Sequence, residues 1–200
     1  MPVPGDRALL EAIDRTMADA ATRAGPALAC RLGCTACCIG PFAITALDAL
    51  RLQAGLRALR AVAPERAQAV VARAKAAVAQ MRAEFPGDAA TGILDEDEAA
   101  EERFARRFVA LPCPALDPAT GGCELYAHRP LTCRTFGPPL WIGTEPVPPC
   151  HQCFVDAPAA AVERCRVAPD PDDQEGRLLR QLPAGETVVA WALAAPDAPA

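Results

Sequence analysis

The chain carries ten cysteines in 200 residues, and nine of them are gathered into two stretches, residues 30–38 and 113–153. The first reads Cys30-Arg-Leu-Gly-Cys34-Thr-Ala-Cys37-Cys38. A metal site needs several thiolates within about 2.3 Å of one ion. Loop spacings of two or three residues allow that convergence, because backbone N–H groups turn inward toward the sulfurs, and Gly33 relaxes the turn. Disulfides fit the pattern less well: neighbours such as Cys37 and Cys38 rarely pair, and close triplets suit a metal better than distant bridges. Adjacent side chains do not easily point the same way. One of Cys37 and Cys38 is therefore expected to ligate, while the other serves a second metal or packs in the core.

The second stretch spreads its ligands more widely: Cys113-Pro, Gly121-Gly122-Cys123-Glu-Leu-Tyr126, Arg129-Pro130-Leu-Thr-Cys133-Arg134 and Cys150-His-Gln-Cys153. Pro, Gly and Cys dominate here and hydrophobic periodicity fades, which suits a segment held by metal rather than by a large core. The expected ligands are Cys30, Cys34, Cys37, Cys38, Cys113, Cys123, Cys133, Cys150 and Cys153. One centre is expected to bring Cys34, Cys37 and Cys38 together with Cys113, Cys123 and Cys133. Tyr126, Arg129 and Arg134 are candidates to surround it, since a four-thiolate centre is anionic and arginine donates to sulfur; ordinary turn hydrogen bonding is the alternative. Cys165 lies outside the pattern and is read as non-ligating. Of the two histidines, His151 is an occasional ligand candidate, and His128 suits a turn or the surface.

Around these stretches the pattern is helical. Leu9, Ile13 and Met17 mark an amphipathic helix over residues 6–24, ended by Gly25-Pro26. Thr45 reads as an N-cap with Asp48 three residues on, opening a helix to about residue 62. Pro64 suits the first turn of another helix, with a core stripe of Val71, Ala74, Val78, Met81 and Phe85, stopped by Pro86-Gly87. Residues 95–109 start acidic and end basic, as the helix dipole favours, with Phe104, Phe108 and Leu111 on the buried face. A short helix is expected near Gln174–Leu182. Thr187–Leu193 reads equally as strand or helix, and Pro196–Ala200 as disordered.

Composition narrows the function. Hydrophobic residues make up 52% but aromatics only 4%, so the core is built from Leu, Val and Ala and suits packed helices. The expected fold is mainly α: a small helical domain with an irregular cysteine-rich metal-binding region over residues 1–156, and a C-terminal extension over 157–200. The net charge of −5, without a basic cluster, argues against nucleic acid. No apolar run is long enough to cross a bilayer, and the N-terminus does not resemble a secretory signal. A cytoplasmic, reducing location is expected, where clustered thiols bind metal. The chain has neither Ser nor Asn, which excludes a serine hydrolase.

These residues carry a resemblance. Cys34-x-x-Cys37-Cys38, Cys113-Pro and Gly122-Cys123-x-Leu-Tyr126-x-x-Arg129-Pro130-x-x-Cys133-Arg134-x-Phe136 resemble the bacterial cysteine-cluster proteins often called the YkgJ family, over about residues 30–153. The gap from Cys30 to Cys34 is three residues where the family more often has two. The resemblance implies a metal or iron–sulfur centre in a small, mostly helical chain. The close cysteine run favours a [4Fe–4S] cluster, with Zn2+ as runner-up, and a redox partner protein would follow from a cluster. A structural zinc protein and a metal-dependent redox or group-transfer enzyme are the alternatives.

Overall fold

The structure is a computed structural model that describes residues 3–31 and 33–195. The expected disorder of Pro196–Ala200 falls outside the described residues. Eight α-helices and three short antiparallel ribbons make the described chain mainly α, as its composition implies. Two compact units divide it: residues 1–34 with 131–181, and residues 35–130 with 182–200.

In the first unit, α1 (Asp6–Ala24) buries Leu9, Ile13, Ala20 and Ala24, one apolar residue per turn or so on a single face. Gly25, at φ 53°, ends it and opens a 3-10 turn, Gly25–Ala27. The short α5 (Leu131–Thr135) lies against α1 through an ion pair: Arg134 donates to both carboxylate oxygens of Asp14, at 2.9 and 2.8 Å. β4 (Leu140–Ile142) and β5 (Glu145–Val147) form a hairpin. Arg166 braces it, donating to the carbonyls of Leu140 and Val147 with its guanidinium over the Trp141 ring. α6 (Ala159–Arg164) and α7 (Gln174–Leu179) complete the unit, the latter opened by Asp170, which accepts from the N–H groups of Gln174 and Glu175.

In the second unit, β1 (Ala43–Thr45) leads into α2 (Ala46–Val62), where the Thr45 hydroxyl accepts from the Asp48 N–H at 3.2 Å. After Ala63 the chain reverses into α3 (Pro64–Met81), with Pro64 in the first turn. The buried face of α3 is Ala67, Val70, Ala74, Ala77 and Met81. That is a slightly rotated version of the expected stripe, with Val71 and Val78 only half-buried at its edges. The physical reason is close packing: small alanines let α8 approach α3 directly. The helix also stops at Met81, a 3-10 turn (Arg82–Glu84) carrying the chain to buried Phe85. A ribbon of β2 (Gly87–Asp88) and β3 (Ile93–Leu94) follows, then α4 (Glu98–Arg107), shorter than residues 95–109 because the Asp97 side chain caps it by accepting from the Ala100 N–H.

The run Thr187–Leu193 is both strand and helix. β6 (Glu186–Val188) pairs antiparallel with β1, and α8 (Val189–Ala194) begins at the next residue. Val189–Leu193 are all buried. Trp191 stacks on Phe85 with centroids 4.1 Å apart, and its indole N–H donates to the Ala89 carbonyl. Residues after 156 thus take part in both units: 157–181 in the first, and β6 and α8 in the core of the second.

Candidate metal centre

None of the ten cysteines is in a disulfide, and local backbone hydrogen bonds bring eight of them into two sets of four, one in each unit.

The second unit brings together Cys37, Cys38, Cys113 and Cys123. The Cys38 N–H donates to the Thr35 carbonyl at 2.8 Å, turning the chain over residues 35–38. The Cys113 N–H then donates to the Cys38 carbonyl at 2.8 Å, and the Gly40 N–H to the Leu111 carbonyl at 2.8 Å, so the two cysteine-bearing segments run side by side. Cys123 returns to the same place through a bridge with Leu116. The loop between is tied by the Asp117 carboxylate, which accepts from the Ala119 N–H and the Thr120 hydroxyl. Cys113 and Cys123 pack against the core of Ala115, Leu125 and Ile44.

The sulfurs of Cys37 and Cys38 lie 3.9 Å apart. Adjacent residues were expected to diverge; the turn after Thr35 makes them converge. The hydrogen bond from Cys38 lowers the Cys37 thiol to about 6, with Arg129 helping and burial opposing. Burial pushes Cys113 up to about 11 and raises Cys123, whose rise Arg129 partly offsets. Arg129 therefore faces these thiols electrostatically. Its guanidinium is held by stacking 4.0 Å over the Tyr126 ring and by donating to the Tyr126 carbonyl at 2.8 Å. Tyr126 itself is mostly exposed and acts as the platform. His128, at the end of the 3-10 turn Tyr126–His128, packs on Gly55 of α2.

The first unit brings together Cys30, Cys34, Cys150 and Cys153. Burial, Cys153, Cys34 and Cys150 together push the Cys30 thiol up to about 12. Burial, with Cys153 and Cys34 adding to it, raises Cys150. So Cys34 stands with Cys30 and the Cys150-x-x-Cys153 turn. Cys133 lies half-buried on α5, one residue before Arg134, whose guanidinium is engaged by Asp14. Cys165 is buried among Ala24, Cys153 and Phe154, and the side chain of His151 is exposed.

Sequence reasoning missed Asp14 as the partner of Arg134, the part played by Gly137 beside Cys30, and Gln152, whose side-chain oxygen lies 3.6 Å from the Cys34 sulfur. A glycine between Phe136 and a proline pair carries no pattern that points at a thiol 107 residues earlier.

The donor sets are soft and all-sulfur, which suits zinc, iron or copper(I) and not magnesium or calcium. Among the described residues, no three His, Cys, Asp or Glu side chains stand close enough together to hold a metal ion as they are. An apolar hollow beside Cys113, lined in part by Phe42, Met81, Leu111 and Val189, has no charged side chain in its lining and offers no handle for a charged substrate. No helix among the described residues is long and apolar enough to cross a membrane.

No curated protein and no solved structure matches the chain. A family model does, described as "CxxCxxCC: putative zinc- or iron-chelating domain", and it spans residues 29–154. Those bounds enclose all eight clustered thiols and Cys133 and leave out Cys165. With more than half of its length inside that match, the chain belongs to the CxxCxxCC family.

Proposed function

We propose that the second unit chelates a single metal ion through the thiolates of Cys37, Cys38, Cys113 and Cys123, as a structural zinc centre. The observation that carries this is the 3.9 Å separation of the Cys37 and Cys38 sulfurs. Four sulfurs at about 2.3 Å from one ion form a tetrahedron whose edge is about 3.8 Å. In a [4Fe–4S] cluster each thiolate binds its own iron, so two ligating sulfurs stand farther apart than one such edge. The geometry therefore favours a mononuclear centre over the cluster that the close cysteine run suggests.

Four thiolates on a divalent ion leave a net charge of about −2, and Arg129 is the cation placed to offset it. A closed four-sulfur shell has no open position for a substrate, which suits a structural centre rather than a hydrolytic one. The same shell with iron in it would carry one electron, and a redox partner protein belongs to that second occupancy. A reducing compartment keeps such thiols available for metal.

The test is metal content. Protein prepared anaerobically, with iron and zinc both supplied, is compared with a Cys113→Ser, Cys123→Ser double variant and with a Cys165→Ser control. The double variant should lose one equivalent of metal per chain, and the control none. Unchanged metal in the double variant would remove this centre. Inorganic sulfide bound with about four irons would return the reading to a cluster.

A further inference from the structure

We propose that the first unit holds a second metal site, made by the thiolates of Cys30, Cys34, Cys150 and Cys153, so that the chain takes up two thiophilic ions. From the preceding reading this uses only the premise that thiolates of this chain bind metal.

Three chain segments are locked together around these sulfurs. The Phe154 N–H donates to the Ala27 carbonyl at 2.7 Å, fixing the segment after Cys153 beside the one that leads to Cys30. The Cys150 N–H donates to the Gly137 carbonyl at 2.9 Å, and the Cys30 sulfur lies 3.8 Å from the Phe136 carbonyl, so residues 136–137 join both arms. The Cys153 N–H donates to the Cys150 carbonyl at 2.7 Å, closing the Cys-x-x-Cys turn. The fourth thiol arrives over that turn, with the Cys34 sulfur 3.6 Å from the Gln152 side-chain oxygen.

Gly137 shows how closely the backbone approaches. At φ +128° it occupies a region that favours glycine, and a Cβ there would stand 2.8 Å from the Cys30 sulfur and 3.2 Å from Leu28 Cδ1. Behind the thiols the wall is apolar, formed by Ala24, Leu28, Phe154 and Val162. Four sulfurs, two of them against this apolar wall, are a soft donor set that selects a soft ion such as zinc. Apart from α1, the surrounding segments are turns and helices of five or six residues. A fold of that kind gains most from a metal tie.

The experiment uses the full-length chain, stripped of metal under reducing anaerobic conditions and titrated with cobalt(II), whose thiolate charge-transfer bands report sulfur ligation. The parent should saturate at two equivalents. A Cys150→Ser, Cys153→Ser variant should saturate at one, and a variant that also carries Cys113→Ser and Cys123→Ser at none. An unchanged titration in the Cys150, Cys153 variant overturns the proposal, as does a parent that saturates at one equivalent and loses it with Cys113 and Cys123. If only the Cys113, Cys123 pair proves indifferent, the centre of the second unit fails and this one stands. A measurement on the unmutated chain guards against misfolded variants: zinc should protect Cys30, Cys34 and Cys150 from alkylation, and a chelator should restore their reactivity. Equal alkylation with and without zinc also overturns the proposal.

Discussion

Gly55 lies in the interior of α2, where alanine would ordinarily be the better residue by about 0.5–1 kcal/mol, because glycine loses more backbone freedom on folding. The structure opposes that gain. A Cβ on Gly55 would stand 2.6 Å from His128 Cβ, 2.7 Å from Cγ and 3.0 Å from Nδ1. Carbon atoms rest at about 3.5–4.0 Å, so His128 would have to retreat by roughly 1 Å. It has little room to do so: its N–H donates to the carbonyl of Leu125, a core residue 2% exposed, and Arg129 follows directly. Overpacking of this kind costs about 1–3 kcal/mol. The balance is a net loss of about 1 kcal/mol for Gly55→Ala. Urea unfolding followed by helical circular dichroism, with metal-free reduced protein, should show a lower midpoint. Because the same turn positions Arg129, the variant should also release zinc to a chelator faster than the parent. A higher midpoint, by the increment helix propensity alone would give, would refute the reasoning and the placement of His128 against α2.

Arg134→Ala should lower stability by about 2 kcal/mol, less than for a fully buried pair because Asp14 is 49% exposed while Arg134 is 3% exposed. The loss should appear in urea unfolding of metal-free protein as well; a loss seen only with metal bound would assign Arg134 to a metal centre instead of to α1. In metal-free protein, Cys37 is lowered to about 6 and Cys113 raised to about 11. Cys37 is thus mostly thiolate at pH 7, and its alkylation rate, read by peptide mapping, should rise through about pH 6 and level off by pH 8 while Cys113 stays slow. A Cys37 rate still climbing above pH 8 would count against the Cys37–Cys38 hydrogen bond. Hydrogen exchange should show that zinc removal loosens residues 112–130 more than the α2–α3 hairpin, since the former has only the short turn Tyr126–His128 as regular structure; equal loosening would contradict it.

Helix bounds were legible where the signal is local. The Thr45 cap with Asp48, Pro64 in a first turn and Gly25 after α1 each act within three or four residues, and each structural boundary falls there. Phe104 was legible as the buried face of α4 for the same reason. Less readable were features set by distant partners. The α3 stripe is rotated because α8 packs on it, and α8 is 108 residues or more further along the chain. After Thr187 the run Val188–Leu193 is uniformly apolar, so periodicity could not divide it; pairing with β1 makes its start a strand, and packing on α3 makes the rest a helix. Within the site, the cysteines named themselves by spacing, but their partition did not. Cys34 and Cys37 are three residues apart in sequence and belong to different units. The division follows from hydrogen bonds such as Cys113 to Cys38 and Cys150 to Gly137, which no spacing records.

The most direct test of the central claim is X-ray absorption at the metal edge of protein purified anaerobically with its own metal. A mononuclear tetrathiolate centre, as the 3.9 Å approach of Cys37 and Cys38 implies, gives one shell of four sulfurs at about 2.3 Å and no metal–metal scattering. A strong iron–iron shell together with bound inorganic sulfide, or a first shell dominated by oxygen and nitrogen, would contradict it.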